Sequence, residues 1–255
     1  MQESPDPIAA RAAAVRIVLV ATSHPGNIGA TARAMKAMGL PSLHLVQPAR
    51  FPSAEATARA AGADDILANA TVHADLAGAV AGCALVIGTT ARERHLDWPS
   101  TDPREAAALV AATAGEVALV FGRERSGLSN EELDQCQRAV YIPTSPGYRS
   151  LNLAQAVQVL AYEVRLALLA GVPVRGGRRR GRLDPSASAD EIAGLEAHCL
   201  RVMARVGYYD AARPKLLARR IKRLLARPGL LHSETQILRG FLSAVDKKLD
   251  ERDED

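Results

Sequence analysis

From Arg16 to about Ala170 the chain alternates short aliphatic, β-branched runs with stretches whose apolar positions recur at helical spacing. Runs at Arg16–Ala21, Ser42–Val46, Ala70–His73, Ala84–Thr89, Val117–Gly122 and Ala139–Thr144 predict strands. Between them, Ile28–Met38, Ala54–Ala61, Leu76–Ala81, Arg104–Ala114 and Asn130–Gln135 read as helices. A longer helix is expected over Ser150–Ala170, with its apolar stripe on Leu153, Val157, Leu160, Ala161, Val164 and Leu168. Segments such as IVLV, ALVIG and VALVF are apolar throughout instead of alternating. Such strands belong to a parallel sheet covered by helices on both faces, so the predicted fold class is α/β. Ligands of these sheets collect beyond the carboxyl ends of the strands, in the loops that follow.

The pattern changes after Ala170. Arg175, Arg178, Arg179, Arg180 and Arg182 stand among glycines and are followed by Asp184-Pro185 and small polar residues, which predicts a basic flexible linker over 171–189. Helical patterns at Asp190–Val206, Pro214–Ala226 and Ser233–Leu249 then predict a small all-α domain over 190–255, ending in an acidic tail. The expected organisation is an N-terminal extension over 1–15, the α/β domain over 16–170, the linker and the helical domain.

Charge sharpens this division. The net charge of +4 is the sum of −2 over residues 1–170 (14 Lys and Arg against 16 Asp and Glu) and +6 over 171–255 (18 against 12). A basic module beside a nearly neutral one points to a polyanionic partner, against the alternative of a merely solvated arginine-rich surface. Aromatic residues make up only 4%, which disfavours a surface built on stacked bases. Cys83, Cys136 and Cys199 are odd in number and far apart, which argues for a reducing compartment and against a thiolate zinc site. The six histidines form no local ligand cluster, so no metal is expected. The amino terminus has no apolar leader pattern, and no stretch reaches the roughly eighteen apolar residues that span a bilayer. We expect a soluble cytoplasmic protein.

Three loops carry unusual chemistry. The first, Thr22-Ser23-His24-Pro25-Gly26-Asn27-Ile28-Gly29, leads into a helix bearing Arg33 and Lys36. Backbone N–H groups at such a helix start can face an anion. Taken alone, Asn27 reads as a helix cap and Arg33 as a surface residue. The second loop, Phe121-Gly122-Arg123-Glu124-Arg125-Ser126-Gly127-Leu128, is followed by Ser129 and Glu132 in a capping box. Capping does not account for Glu124; alone it reads as an exposed ion pair. In the third, Tyr141 to Leu153, Ser150 reads as the cap of the long helix and Asn152 as a polar residue of its first turn.

Together, T-S-H-P-G-N-I-G-A-T-A-R-A-M-K, F-G-R-E-R-S-G-L-S-N-E-E-L and S-L-N-L-A-Q-A-V-Q-V-L-A-Y-E-V resemble the SPOUT methyltransferases, most closely the TrmJ-type tRNA 2′-O-methyltransferases, over most of Arg16–Ala170. The resemblance implies an α/β fold with a trefoil knot near the third loop and a homodimer whose active site draws on both subunits. It implies S-adenosyl-L-methionine as methyl donor, S-adenosyl-L-homocysteine as product, and the ribose of nucleotide 32 in the tRNA anticodon loop, carrying cytidine or uridine, as target. Asn27 and Arg33 match the catalytic first motif, with Arg33 expected to act on the ribose hydroxyl. Thr89, Gly122, Glu124, Ile142, Ser150, Leu151 and Asn152 match positions that enclose the cofactor.

Methyl transfer from a sulfonium to a ribose oxygen is an in-line displacement, for which the protein must mainly align two atoms. A guanidinium does not give up its proton in proteins, so Arg33 is read as stabilising the developing alkoxide and clamping a phosphate, while a phosphate oxygen or water takes the proton. The arginines at 175–182 are expected on RNA phosphates, and Arg92, Arg94 and Arg123 near the anticodon loop. Competing readings are a ribose methyltransferase of the same fold acting on ribosomal RNA or another tRNA position, and an RNA-binding homologue without activity. A nucleotide-dependent oxidoreductase would need a G-x-G-x-x-G turn, which the first loop lacks.

Overall fold

The computed structural model describes residues 7–91, 100–148, 150–171, 184–212, 216–226 and 229–253. The chain divides into two compact units, Met1–Arg175 and Gly176–Asp255.

The first unit holds seven strands, β1 (Val15–Val20), β2 (Ser42–Val46), β3 (Thr71–His73), β4 (Leu85–Thr90), β5 (Ser100–Thr101), β6 (Val117–Phe121) and β7 (Arg138–Tyr141). They form one sheet in the order β3-β2-β1-β6-β4-β7-β5, with every pairing parallel. The helices are α1 (Pro7–Ala13), α2 (Pro25–Met38), α3 (Ala54–Ala60), α4 (Asp64–Ala68), α5 (Leu76–Val80), α6 (Pro103–Ala112), α7 (Asn130–Leu133) and α8 (Leu153–Leu169).

All five residues of β6 are buried, as an uninterrupted apolar run requires. Ile17 and Leu19 of β1 pack with Ile28 and Met35 of α2, Val110 of α6 and Leu160 and Val164 of α8 in one core. Successive residues of a strand face opposite sides, and Val18, Val86 and Val120 are buried as well, so both faces are covered. Helices α2 and α3 approach closely because Gly29 has no side chain; a Cβ there would lie 2.0 Å from the carbonyl oxygen of Ala56.

The predicted strands and helices of this unit are present with boundaries shifted by a few residues. Three elements were not predicted from the sequence. Helix α1 occupies much of the expected extension, burying Ala12, while Arg11 donates to the carbonyls of Val110 (2.8 Å) and Thr113 (2.6 Å) at the end of α6. The others are the one-turn helix α4 and the two-residue strand β5, both too short to show a period.

Away from the loops of interest, His44 on β2 and His73 on β3 stack with ring centroids 5.1 Å apart, joined by a 2.8 Å Nδ1···Nε2 hydrogen bond. Burial, then the charges of Arg16 and His73, hold the His44 ring down at about 4, against an ordinary 6.5. The unfolded chain therefore binds this proton more readily, and the stability involved is present above about pH 6.5 and lost as pH falls toward 4. With the pair only partly buried, the loss between pH 7 and pH 5 should be on the order of 1 kcal/mol. Urea midpoints at the two pH values measure it; they should differ in the wild type and converge in His44→Gln. Equal wild-type midpoints would contradict this account.

The second unit contains α9 (Ala189–Arg205), α10 (Leu217–Ala226) and α11 (His232–Asp253). Leu195, Val202 and Leu242 form its small core, edged by Cys199, Leu225, Leu230 and Val245. Buried His198 meets Asp246 at 3.0 Å, and Arg205 bridges Asp246 (2.8 Å) and Asp250 (2.5 Å), tying α9 to α11. The expected linker ends earlier than its composition suggested. Ala187 is buried and its N–H donates to Leu230, His232 donates to Pro185, and Asp184 accepts from Ser233, so residues from Asp184 onward dock against the start of α11. Small polar residues served here as caps and bridge partners instead of spacers; Ser188 caps α9 in a box with Glu191.

Candidate active site

The three loops leave β1, β6 and β7, and all three strands run parallel in the same sheet. Parallel pairing of β1 with β6, Leu19 opposite Phe121, brings the first and second loops out side by side. The third loop runs from β7 to the start of α8, which packs on α2.

Helix α2 starts earlier than its apolar period suggested. Pro25 occupies its first turn, and His24 is the cap, its Nδ1 accepting from the N–H of Gly26 at 3.1 Å. Asn27 is therefore not a cap, which corrects the reading of that residue taken alone. It lies inside the first turn, free to reach across. Its Nδ2 donates to Glu124 Oε1 at 2.9 Å, and its Oδ1 accepts from Asn152 Nδ2 at 3.0 Å. Ser150 is not the cap of α8 either. Asn152 is, with its Oδ1 accepting from Ala154 N–H at 2.9 Å and Gln155 completing a capping box.

Glu124 is the centre of this arrangement. Besides Asn27, its carboxylate accepts from the Ser23 hydroxyl (3.0 Å), the Ser23 N–H (3.2 Å) and the His24 N–H (3.2 Å). Partial burial alone would push the Glu124 carboxyl up, but the hydrogen bonds from Asn27 and from backbone N–H groups outweigh it and hold the group at about 2. One carboxylate thus binds the second loop to the first, and the Asn27–Asn152 bond adds the third.

Beside this network lies a cleft, open to solvent, with about 830 Å³ of free space. Thr89, Gly122, Glu124, Ile142, Ser150 and Leu151 line it, together with Thr90, Thr144 and Leu128. Asn152, the seventh residue expected on the cofactor, is not among the lining residues and instead holds Asn27. Gly122 has a steric reason to be glycine: a Cβ there would lie 2.1 Å from the carbonyl carbon of Gly127. The Gly122→Ala variant must displace the second loop, so it should melt several degrees lower by scanning calorimetry and lose most of its cofactor affinity. A variant with wild-type melting and affinity would show that the loop yields easily.

Arg33 is exposed on α2, about two turns beyond Asn27, and makes no ion pair among the described residues. Lys36, by contrast, is bound to Asp65 and the Gly62 carbonyl, each at 2.8 Å. Arg123 lines the cleft but is committed to Glu132 at 2.9 Å, closing the second loop onto the capping box of α7. Arg125, not singled out from the sequence, is the exposed arginine of this loop. Arg92, Arg94, Arg175, Arg178, Arg179, Arg180 and Arg182 lie outside the described residues. Among the described residues, no three His, Cys, Asp or Glu side chains gather as a metal would require, and no helix is long and apolar enough to cross a membrane.

Comparison with known proteins bears on what this arrangement is. The profile of the SpoU rRNA Methylase family matches residues 14–162, which contain all three loops and the cleft. The chain belongs to the SpoU methylase family. A second profile, the C-terminal domain of tRNA methyltransferase TrmJ, matches residues 190–254 of this SpoU methylase. The tRNA (cytidine/uridine/adenosine-2′-O-)-methyltransferase TrmJ of Pseudomonas aeruginosa is 49% identical over 241 residues, covering 91% of this chain and 94% of the relative. The tRNA (cytidine/uridine-2′-O-)-methyltransferase TrmJ of Yersinia enterocolitica is 45% identical, covering 92% of each chain. Among solved structures, TrmJ from Z. mobilis superposes with a TM-score of 0.79 at 34% identity, covering 91% of this chain and 98% of that one. This SpoU methylase is thus a methyltransferase of the TrmJ type, as its motifs implied.

Sequence reasoning missed Ser23 and Thr144, and the role of His24 as a helix cap. Pro25 was the available signal for Ser23 and His24, since proline at the opening of a helix places the cap one residue before it and frees Asn27. Asn152 followed three residues later by Gln155 was the corresponding signal at α8.

Proposed function

We propose that this SpoU methylase transfers the methyl group of S-adenosyl-L-methionine to a ribose 2′-hydroxyl of tRNA, at nucleotide 32 of the anticodon loop. The observation that carries the reading is the Glu124–Asn27–Asn152 network, which gathers three loops around one cleft and leaves the Arg33 guanidinium without an ion-pair partner among the described residues. The names of the relatives support tRNA as substrate and the 2′-oxygen as acceptor.

The residues present fit the cofactor. Thr144 Oγ1 lines the cleft, buried and without a hydrogen-bond partner among the described residues, and so offers a bond to a polar edge of the ligand. Leu128, Ile142 and Leu151 supply apolar walls, and the Glu124 carboxylate gives a negative environment suited to a cation. When bound, S-adenosyl-L-methionine supplies the activated methyl group. Arg33 then orients the ribose through the neighbouring phosphate and stabilises charge on the 2′-oxygen as its proton leaves to a phosphate oxygen or water. The reading includes a homodimer with a composite site, a trefoil knot near the third loop and a cytoplasmic setting. It also divides the chain into an extension at 1–15, a catalytic domain at 16–170 and a helical RNA-binding part beyond a basic connection.

Labelled S-adenosyl-L-methionine incubated with total tRNA, with the modified nucleotide then mapped, tests this. Label on ribose 32 supports it; label on another tRNA ribose overturns the position, and label on ribosomal RNA alone overturns the substrate. A second measurement concerns Arg175, Arg178, Arg179, Arg180 and Arg182. Their joint replacement by alanine should flatten the dependence of log affinity on log salt by about three to five units of slope if each contacts a phosphate. An unchanged slope would remove them from the RNA surface.

A further inference from the structure

Helix α11 packs one side on α9 through Leu242 and Val245, yet carries a second apolar stripe facing solvent. Ile237 is 71% exposed and Phe241 66%, with Leu238 beside them. At 100° per residue, Glu234, Ile237, Leu238, Phe241, Ala244 and Lys248 share this side of the helix. An apolar centre on Phe241 is therefore bounded by an acid seven residues before and a base seven residues after.

That symmetry identifies an occupant. A second α11 laid antiparallel about a two-fold axis at Phe241 places Phe241 against its own copy and Leu238 against Ala244, with Ile237 flanking them. It also places each Glu234 opposite the other copy's Lys248. A parallel pair would instead set Glu234 beside Glu234 and Lys248 beside Lys248. Both charges are available: Glu234 uses one carboxylate oxygen on the Leu231 N–H at 2.8 Å, and Lys248 is 80% exposed with only the neighbouring Glu251 on its ammonium. RNA is a poor occupant for a stripe whose centre is aliphatic and aromatic with no arginine in it.

We infer that α11 is an interface between two copies of this chain, formed antiparallel about Phe241 and separate from any contact made by the methylase unit. Self-complementarity of one surface patch is what a two-fold dimer contact requires.

The test uses the full chain with Cys199 replaced by serine, leaving two buried cysteines. Under mild oxidation, Phe241→Cys should form a disulfide-linked dimer at least about tenfold faster than Ser243→Cys, which lies on another side of α11, because pairing raises the local thiol concentration. Glu234→Lys should slow this linkage, and Glu234→Lys with Lys248→Glu should restore it. Residues 234 and 248 are four turns apart on one helix, so rescue can arise only between copies. Equal rates at 241 and 243, or no rescue, would overturn the inference. If light scattering of the wild type gives a dimer while 241 fails to link, only this interface is lost and the methylase dimer stands. If it gives a monomer, both are lost.

Discussion

The Arg33→Ala enzyme should transfer methyl groups to tRNA about 10²- to 10³-fold more slowly, the loss seen when one donor to a developing oxyanion is removed. Its affinity for S-adenosyl-L-homocysteine should stay within about twofold of wild type, as expected of an exposed substitution away from the ligand. The structure separates the two quantities. Arg33 is exposed, has no ion-pair partner among the described residues and is not among the residues lining the cleft, so its removal disturbs neither fold nor pocket. Lysine should not rescue turnover, because a point charge cannot grip a phosphate and an oxygen in one plane as a guanidinium does. Single-turnover rates and calorimetry on the same preparations measure both effects. Near-normal turnover of Arg33→Lys with unchanged tRNA affinity would rule out this geometric role.

Glu124→Ala should do the reverse, weakening cofactor binding by at least about tenfold and lowering stability by about 1 kcal/mol, because it leaves one partly buried donor and three solvent-exposed donors without their acceptor. The donors are the Ser23 hydroxyl, the N–H groups of Ser23 and His24, and Asn27 Nδ2. Asn27→Ala should cost less, and the double variant should cost less than the sum, since both act through one bond. Urea denaturation and calorimetric titration read the two effects; full additivity would mean that the bond is incidental. The pH dependence has a definite sign. With the folded carboxyl held at about 2 against an ordinary 4.5, its stabilisation is complete above about pH 4.5 and is lost as pH falls toward 2. Glu124 therefore contributes no acid limb to activity measured between pH 6 and pH 9.

Strands β1, β4 and β6 were legible because an unbroken apolar run has few alternatives to the middle of a parallel sheet. Strand β5 was not, since Ser100 and Thr101 owe their strand geometry to pairing with Ala139 and Val140, a contact that no local pattern encodes. Helix α1 was missed for a similar reason: P-I-A-A-R-A-A buries little but Ala12, and the side chain that anchors it is Arg11. The cleft residues were legible as motifs, but their division of labour was not. Asn27, Glu124 and Asn152 are 97 and 28 residues apart along the chain, and only the sheet order makes them hydrogen-bonding neighbours. Local rules read Asn27 as a cap and Glu124 as a surface charge, and each proved to be the other's partner.

The position of β6 has a consequence for how the molecule is made. Among the described residues, the group β3-β2-β1 and the group β4-β7-β5 meet only through it, yet it follows β1 to β5 in the chain. During synthesis from the amino terminus, β1 and β4 have no common neighbour until residues 117–121 leave the ribosome, and β4 and β5 have none until β7 follows at 138–141. The sheet therefore closes late, β6 joining β1 to β4 and β7 then joining β4 to β5, which are slow, high-contact-order events. Glu124 follows that strand by three residues. Asn152 and the cleft residues Ile142, Ser150 and Leu151 come only after β7, so a nascent chain that ends at β6 holds the Glu124 bonds to the first loop but neither the complete network nor the complete cleft.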